Sequence, residues 1–222
     1  MKILMLHQFF STNHSVRNNR FFELGCRLVS QGHQVTVITG NAGLKLPLGN
    51  RKIGLLQTSG MAVVALNLTY DYRMKPFKKA RLQMAYARLA SHQGRRLPRP
   101  DLICAVSPPL ATTLPAVSLS RFHGAPLVLN LEELWPEAAE QRGTLRNQTL
   151  IALARRVEAK ACNHAFRIFA FDRSTAEAIK DVVNVQKKVL LVRDLESHWQ
   201  QFETVLREAT GEAAGEIGKT GG

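Results

Sequence analysis

The chain has 222 residues, 45% of them hydrophobic and 21% charged, with 15 Gly and 9 Pro. At about 150 residues per domain this is one generous domain, able to bury a core and excluded from the disordered and collagen-like classes. Thirty Lys and Arg against 17 Asp and Glu leave a net charge of +13, a field that favours nucleic acid, anionic lipid or phosphate-bearing substrates without choosing among them. The three cysteines, Cys26, Cys104 and Cys162, lie far apart without a C-x-x-C pair. That spacing argues against a disulfide framework or zinc site and fits small core residues in a reducing cytosol.

The opening MKILMLHQFF breaks its apolar run at His7 and Gln8 with no small-residue cleavage site after it, so it is not read as a signal peptide. No stretch approaches the roughly 18 uninterrupted apolar residues of a membrane span. The expected protein is cytoplasmic, at most peripheral at the inner face of the plasma membrane.

Lys2 to Leu6 reads as a buried strand, followed by a polar loop from Gln8 to about Val16. Arg17 to Gln31 carries Phe21, Leu24, Leu28 and Val29 on one helical stripe, with Gly32 at the C-terminal capping position. Gln34 to Thr39 is β-branched, so the first 40 residues spell strand, helix, strand. Asn41 to Ser59 is punctuated by Gly and Pro and reads as an irregular hairpin or loop; Met61 to Leu66 follows as a strand.

Helices are expected over Pro76–Gln93, Leu110–Phe122, Thr149–Cys162, Ser174–Asp181 and Asp194–Ala209. Strands are expected over 102–106, 126–130, Arg167–Phe171 and Val189–Val192. This alternation predicts an α/β fold: a single Rossmann-like, doubly wound domain whose parallel sheet is covered by helices on both faces. The domain is placed at 1–192, a C-terminal helix at 193–209 and a flexible glycine-rich tail at 210–222. Gly218-Lys219-Thr220 imitates the end of a phosphate-binding loop, but Ala213 stands where that motif needs glycine.

In open α/β sheets ligands bind outside the carboxyl ends of the strands. The informative residues are therefore His7, Gln8, the 11–20 loop with Arg17 and Arg20, Ser107 with Pro108, and Asn130 to Glu137. Such a rim mixes a base, cations and carboxylates, and suits a polar, hydroxyl-rich or phosphorylated ligand.

In chain order the sequence carries LHQFF, R-x-x-E-L leading to GHQVTVITG, Tyr72-Arg73-Met74, RPDLICAVSPPL, and ELWPE followed by Gly143 and a helix containing Glu158. Together these resemble the N-terminal half of family 4 glycosyltransferases, most closely bacterial enzymes of O-antigen, capsule and exopolysaccharide synthesis, including the fucosamine type. The likeness covers about residues 2–180. It implies the acceptor-side half of a two-domain glycosyltransferase B-type fold. The implied activity is transfer of a sugar, with retention, from a nucleotide sugar as co-substrate to a lipid-linked or polysaccharide acceptor, with neither metal nor other cofactor required.

On that resemblance His7, Glu133 and Glu137 are the catalytic candidates, and Gln8, Arg17, Arg20, Ser107, Pro108 and Trp135 the substrate-binding ones. Each has a structural reading beside it: a hydrogen-bonded strand-end histidine, two solvated arginines, a Ser-Pro-Pro strand terminator, a Trp-Pro plug.

The sequence also departs from the family. The loop STNHSVRNN contains no glycine, and the usual E-V-R-D before L-W-P-E is replaced by Asn130-Leu131-Glu132-Glu133. The family's nucleotide-sugar half needs on the order of 150 to 200 further residues. A donor-binding domain on a separate chain is therefore the expected partner, and the isolated chain is expected to be inactive. The alternative is an inactive remnant, or a binding or scaffold module at the membrane surface. Glu132 and Glu140 match the family's E-x7-E spacing by coincidence.

Arg73 to Arg99 holds nine Lys and Arg and no acid. That segment is either an anionic membrane surface ligand or a solvated basic helix. No helix-turn-helix or RNA-recognition module accompanies it, so nucleic acid is not the expected partner.

Overall fold

A computed structural model describes residues 1–12, 19–71, 73–108, 110–134, 147–182 and 188–211. In chain order it contains β1 (Lys2–Leu6), α1 (Arg20–Ser30), β2 (Gln34–Gly40), β3 (Ile53–Thr58), β4 (Met61–Leu66), α2 (Pro76–Gly94), β5 (Leu102–Ser107) and α3 (Leu110–His123). It continues with β6 (Leu127–Leu131), α4 (Gln148–His164), β7 (Arg167–Ala170), α5 (Arg173–Val182), β8 (Val189–Leu191) and α6 (Leu195–Thr210).

The strands form one eight-stranded sheet in the order β3-β4-β2-β1-β5-β6-β7-β8. All neighbours are parallel except β3 and β4. The central strands β5 and β6 are buried along their whole length, which is why they are apolar without alternation.

The expected irregular hairpin or loop over 41–59 takes the hairpin form at this edge, where it adds an antiparallel strand to the otherwise parallel sheet. Ile53–Thr58 is a strand that pairs antiparallel with Met61–Leu66, Thr58 lying opposite Met61. Ser59 (φ 46°) and Gly60 (φ 77°) make the two-residue turn between them. Two successive left-handed residues are what a type I′ hairpin requires, and Ser-Gly supplies them.

Smaller shifts have local causes. Strand β6 begins at Leu127, since Pro126 has no N–H; its carbonyl instead accepts from Ile103 N at 3.0 Å. Helix α1 is described from Arg20, residues 13–18 lying outside the described part, so its expected start at Arg17 does too.

Helices cover both faces. One core layer joins β-strand side chains such as Leu4, Ile103 and Leu129 to α2, α3, α4 and α5 through Tyr86, Leu119, Cys162 and Ile179. The other joins Met5, Val37 and Phe169 to α1 and α6 through Leu24, Leu28, Phe202 and Leu206. Helix α6 opens on a capping box between Asp194 and Ser197 and ends at Gly211 in the left-handed conformation. Its Phe202 stacks on Phe169 at 5.8 Å between ring centres, and Glu196 reaches Arg27 of α1 at 2.8 Å.

Candidate functional site

Strands β1 and β5 lie side by side, yet β1 continues through α1 toward β2 and β5 through α3 toward β6. Their helices leave to opposite faces of the sheet, which opens a crevice beyond their carboxyl ends. His7 follows β1, Ser107 ends β5, Glu132 and Glu133 follow β6, and Phe171 follows β7. Residues more than a hundred positions apart thus share one edge, as expected.

His7 is anchored through its backbone, whose N–H donates to Ile38 O at 3.2 Å. Its ring stands edge-on to Phe21 and Phe10, at 5.3 and 6.3 Å between centres. Burial among these rings pushes its pKa down to about 4, so the imidazole is neutral at pH 7. Nδ1 has no hydrogen-bond partner among the described residues.

Gln8 is buried, and its carbonyl accepts from Gly40 N at 3.0 Å and Thr39 Oγ1 at 3.3 Å. The turn after β2 holds this loop from the other side. Asn41 clasps Leu46 twice, through Nδ2 to the carbonyl at 2.9 Å and Oδ1 from the N–H at 2.8 Å. Gly43 then approaches Phe10 so closely that a Cβ would lie 2.3 Å from its carbonyl oxygen.

Ser107 is fully buried, its carbonyl accepting from Glu132 N at 2.9 Å, and its bond to Pro108 is cis. Among the described residues Ser107 Oγ, Gln8 Oε1 and Thr112 Oγ1 are buried without partners, like His7 Nδ1. Buried polar atoms normally find a partner. Four such atoms on the strand ends and the first turn of α3 mark a place suited to a polar ligand.

Arg20, half-buried at the start of α1, lies 4.1 Å from the centre of the Phe171 ring. Burial lowers its pKa while Glu132 and Glu23 oppose the shift. Across the crevice burial raises the Glu132 carboxyl above its ordinary value, with Arg20 opposing and Glu133 adding to the effect. The rim therefore sets one guanidinium near the Glu132 carboxyl, with Glu133 acting on Glu132 in turn. Among the described residues no group of three or more His, Cys, Asp or Glu is placed to hold a metal ion.

The structure thus brings His7, Gln8, Arg20, Ser107, Pro108 and Glu133 to one edge. Arg17, Trp135 and Glu137 lie outside the described residues. Two residues at this edge went unread as a pair. Asn130 is buried inside β6, donating from Nδ2 to Cys104 Sγ at 3.0 Å, and its Oδ1 meets His198 Nε2 at 3.1 Å. A lone histidine within a terminal amphipathic helix gives no sign of that contact; only the packing of α6 on the sheet creates it.

A model of the glycosyl transferase 4-like domain matches residues 18–193. The chain belongs to this family. Solved structures show the same fold for this 4-like domain. A sucrose-phosphate synthase from Thermosynechococcus elongatus superposes with a TM-score of 0.56 at 12% identity, covering 86% of this chain and 47% of that one. A second, shorter chain of the same synthase gives 0.59 at 12% identity, covering 94% and 98%. UGT89C1 of Arabidopsis thaliana, in complex with UDP, gives 0.52 at 12% identity, covering 87% and 49%. The 4-like domain thus spans about half the length of the longer chains it matches. No curated protein matches it in sequence.

Proposed function

We propose that the chain is the acceptor-side half of a glycosyltransferase that moves a sugar from a nucleotide sugar to a lipid-linked or polysaccharide acceptor. The observation that carries the reading is the family match over residues 18–193, on a fold whose carboxyl edge gathers unpartnered buried polar atoms. In the reaction an acceptor hydroxyl oxygen bonds to the anomeric carbon, the bond from that carbon to the diphosphate breaks, and the nucleoside diphosphate leaves with the electron pair. The hydroxyl proton must go elsewhere. His7, neutral and with Nδ1 unused by the described residues, can orient the hydroxyl or accept that proton. Arg20, Glu132 and Glu133 then hold polar groups of the acceptor at the rim.

The nucleotide sugar belongs to a second domain, supplied in this proposal by a partner chain, with no metal or other cofactor. Trp135, Glu137 and Arg17 complete the acceptor site. A fucosamine-type sugar in O-antigen, capsule or other cell-envelope polysaccharide, assembled in the cytoplasm, is the finer reading suggested by the sequence motifs. The family match supports a transferase rather than an inactive remnant.

The test is saturation-transfer NMR of the 222-residue chain with undecaprenyl-diphosphate sugar head-group analogues, alongside an assay for nucleoside diphosphate release from UDP- and GDP-sugars. Acceptor analogues are expected to bind, to lose about tenfold in affinity in Ser107→Ala and His7→Ala, and to be glycosylated only when the donor-binding partner is added. Turnover by the chain alone overturns the divided site. Binding unchanged by both substitutions removes this edge as the acceptor site.

A further inference from the structure

The helix layer formed by α2, α3 and α4 carries a surface that the sugar-transfer reading does not use. Eight large apolar side chains are exposed among the described residues, and six of them lie here: Phe77, Met84, Leu114, Phe122, Leu150 and Leu153. Phe77 is 82% exposed and Met84 60%, and exposed apolar side chains gathered on one face mark an interaction surface. The same three helices hold eight Lys and Arg and a single acid, Glu158, which is 3% exposed. The surface is therefore basic and apolar with no exposed carboxylate.

The two properties are interleaved. A groove of about 970 Å³ between α2 and α3 is lined by Met84 and Leu114 together with Arg81, Arg88 and Arg95. An adjoining groove of about 650 Å³ between α3 and α4 shares Leu114 and Arg95 and adds Phe122, Arg121 and Lys160. The side chains form a continuous band, with Arg95 set 5.3 Å over the Phe122 ring at the seam. The same helix α2 turns its other side inward, where Tyr86 is fully buried and donates to Ile38 O at 3.0 Å. Its apolar residues therefore serve two purposes, and this is why they fail to segregate on a helical wheel.

We propose that the α2–α3–α4 face docks on an anionic lipid bilayer, with the arginines at the headgroups and Phe77, Met84, Leu114 and Phe122 entering the interface. Charge complementarity selects this occupant. A second copy of a chain with net charge +13 would bring two carboxylate-free faces together. Duplex nucleic acid would satisfy the arginines but keeps its bases stacked in the helix, away from an exposed aromatic and thioether. The inference rests on this face alone and not on the glycosyltransferase reading.

The test is co-sedimentation of the 222-residue chain with phosphatidylcholine vesicles containing 30% phosphatidylglycerol or none, at low and high salt, with a duplex oligonucleotide as competitor. Binding is expected to the anionic vesicles only and to weaken with salt. Arg81→Gln/Arg88→Gln/Arg121→Gln should lose on the order of 100-fold in partition, and Met84→Ser/Phe122→Ser about tenfold. Unchanged circular dichroism and melting establish that both variants fold. No binding to anionic vesicles overturns the proposal. So does binding insensitive to Met84→Ser/Phe122→Ser, or an oligonucleotide affinity exceeding that for the vesicles. None of these readouts involves sugar transfer, so their failure leaves the acceptor site standing.

Discussion

Asn130 Oδ1 and His198 Nε2 meet at 3.1 Å in the protein interior, although 68 positions separate them. Because the Asn130 amide nitrogen already donates to Cys104, its oxygen accepts and the imidazole proton sits on Nε2. The contact ties α6 to the middle of the sheet beside the carboxyl edge. Asn130 must donate and accept at once, which a carboxylate at this position could not do.

His198→Ala leaves Asn130 Oδ1 buried without its donor and opens a cavity among Phe169, Phe171 and Phe202. The expected cost is about 3 kcal/mol, seen as a fall in melting temperature of roughly 10 °C. Replacing both partners, as in His198→Phe/Asn130→Leu, removes the orphaned group and should recover much of that loss. Calorimetry of the two variants and the parent measures the coupling, and a double variant no more stable than His198→Ala contradicts it.

Acid sensitivity follows from the same histidine and from His7. Their folded pKa values are depressed to about 3 and about 4, whereas in the unfolded chain both titrate near 6.5. Below pH 6.5 the unfolded chain therefore binds protons that the folded chain refuses. Stability is full above that value and falls as pH drops toward 4, by about 1.4 kcal/mol per unit for each residue. His33 and His164, also lowered, act in the same direction. Urea unfolding between pH 7 and 5 should show the slope, and His198→Phe/Asn130→Leu should flatten it.

The fold was legible because its signals are local. Apolar runs mark β1, β2, β5 and β6, and glycines or prolines mark the helix ends. Strand β3 was obscured because an edge strand buries little and so carries little pattern. Leu55, 82% exposed, occupies the outward position where a polar residue would have signalled alternation. The site was legible only as a set of strand ends. That His7 sits between two phenylalanines, that Arg20 faces Glu132, and that His198 arrives from the far end of the chain all depend on packing between elements distant in sequence. The basic segment was visible as charge, but the exposed apolar partners on α3 and α4 belong to other parts of the chain.

Gly43 tests whether the turn after β2 sets the position of the His7 loop. A Cβ there would stand 2.3 Å from Phe10 O, a backbone atom that cannot rotate away. Gly43→Ala should therefore displace residues 8–10, at a cost of about 1 to 3 kcal/mol, and weaken acceptor binding while leaving the central strands protected. Hydrogen exchange read residue by residue distinguishes this from global loosening. Uniform loss of protection in β5 and β6 contradicts it.

Burial is the larger influence on both Arg20 and Glu132, and each opposes the shift that burial causes in the other. Burial already raises the Glu132 carboxyl, and Arg20 is the group that opposes the rise. In Arg20→Gln that opposition is gone, and Glu132 must titrate at still higher pH than in the parent. Carboxyl-carbon NMR of the two proteins measures the shift directly. Arg20 also packs on Phe171 at 4.1 Å, a contact that glutamine cannot reproduce. Arg20→Lys keeps the charge but loses the planar stack. It should return Glu132 most of the way to its parental pKa without restoring the melting temperature. A Glu132 titration identical in all three proteins would mean that the pair is not coupled across the cleft.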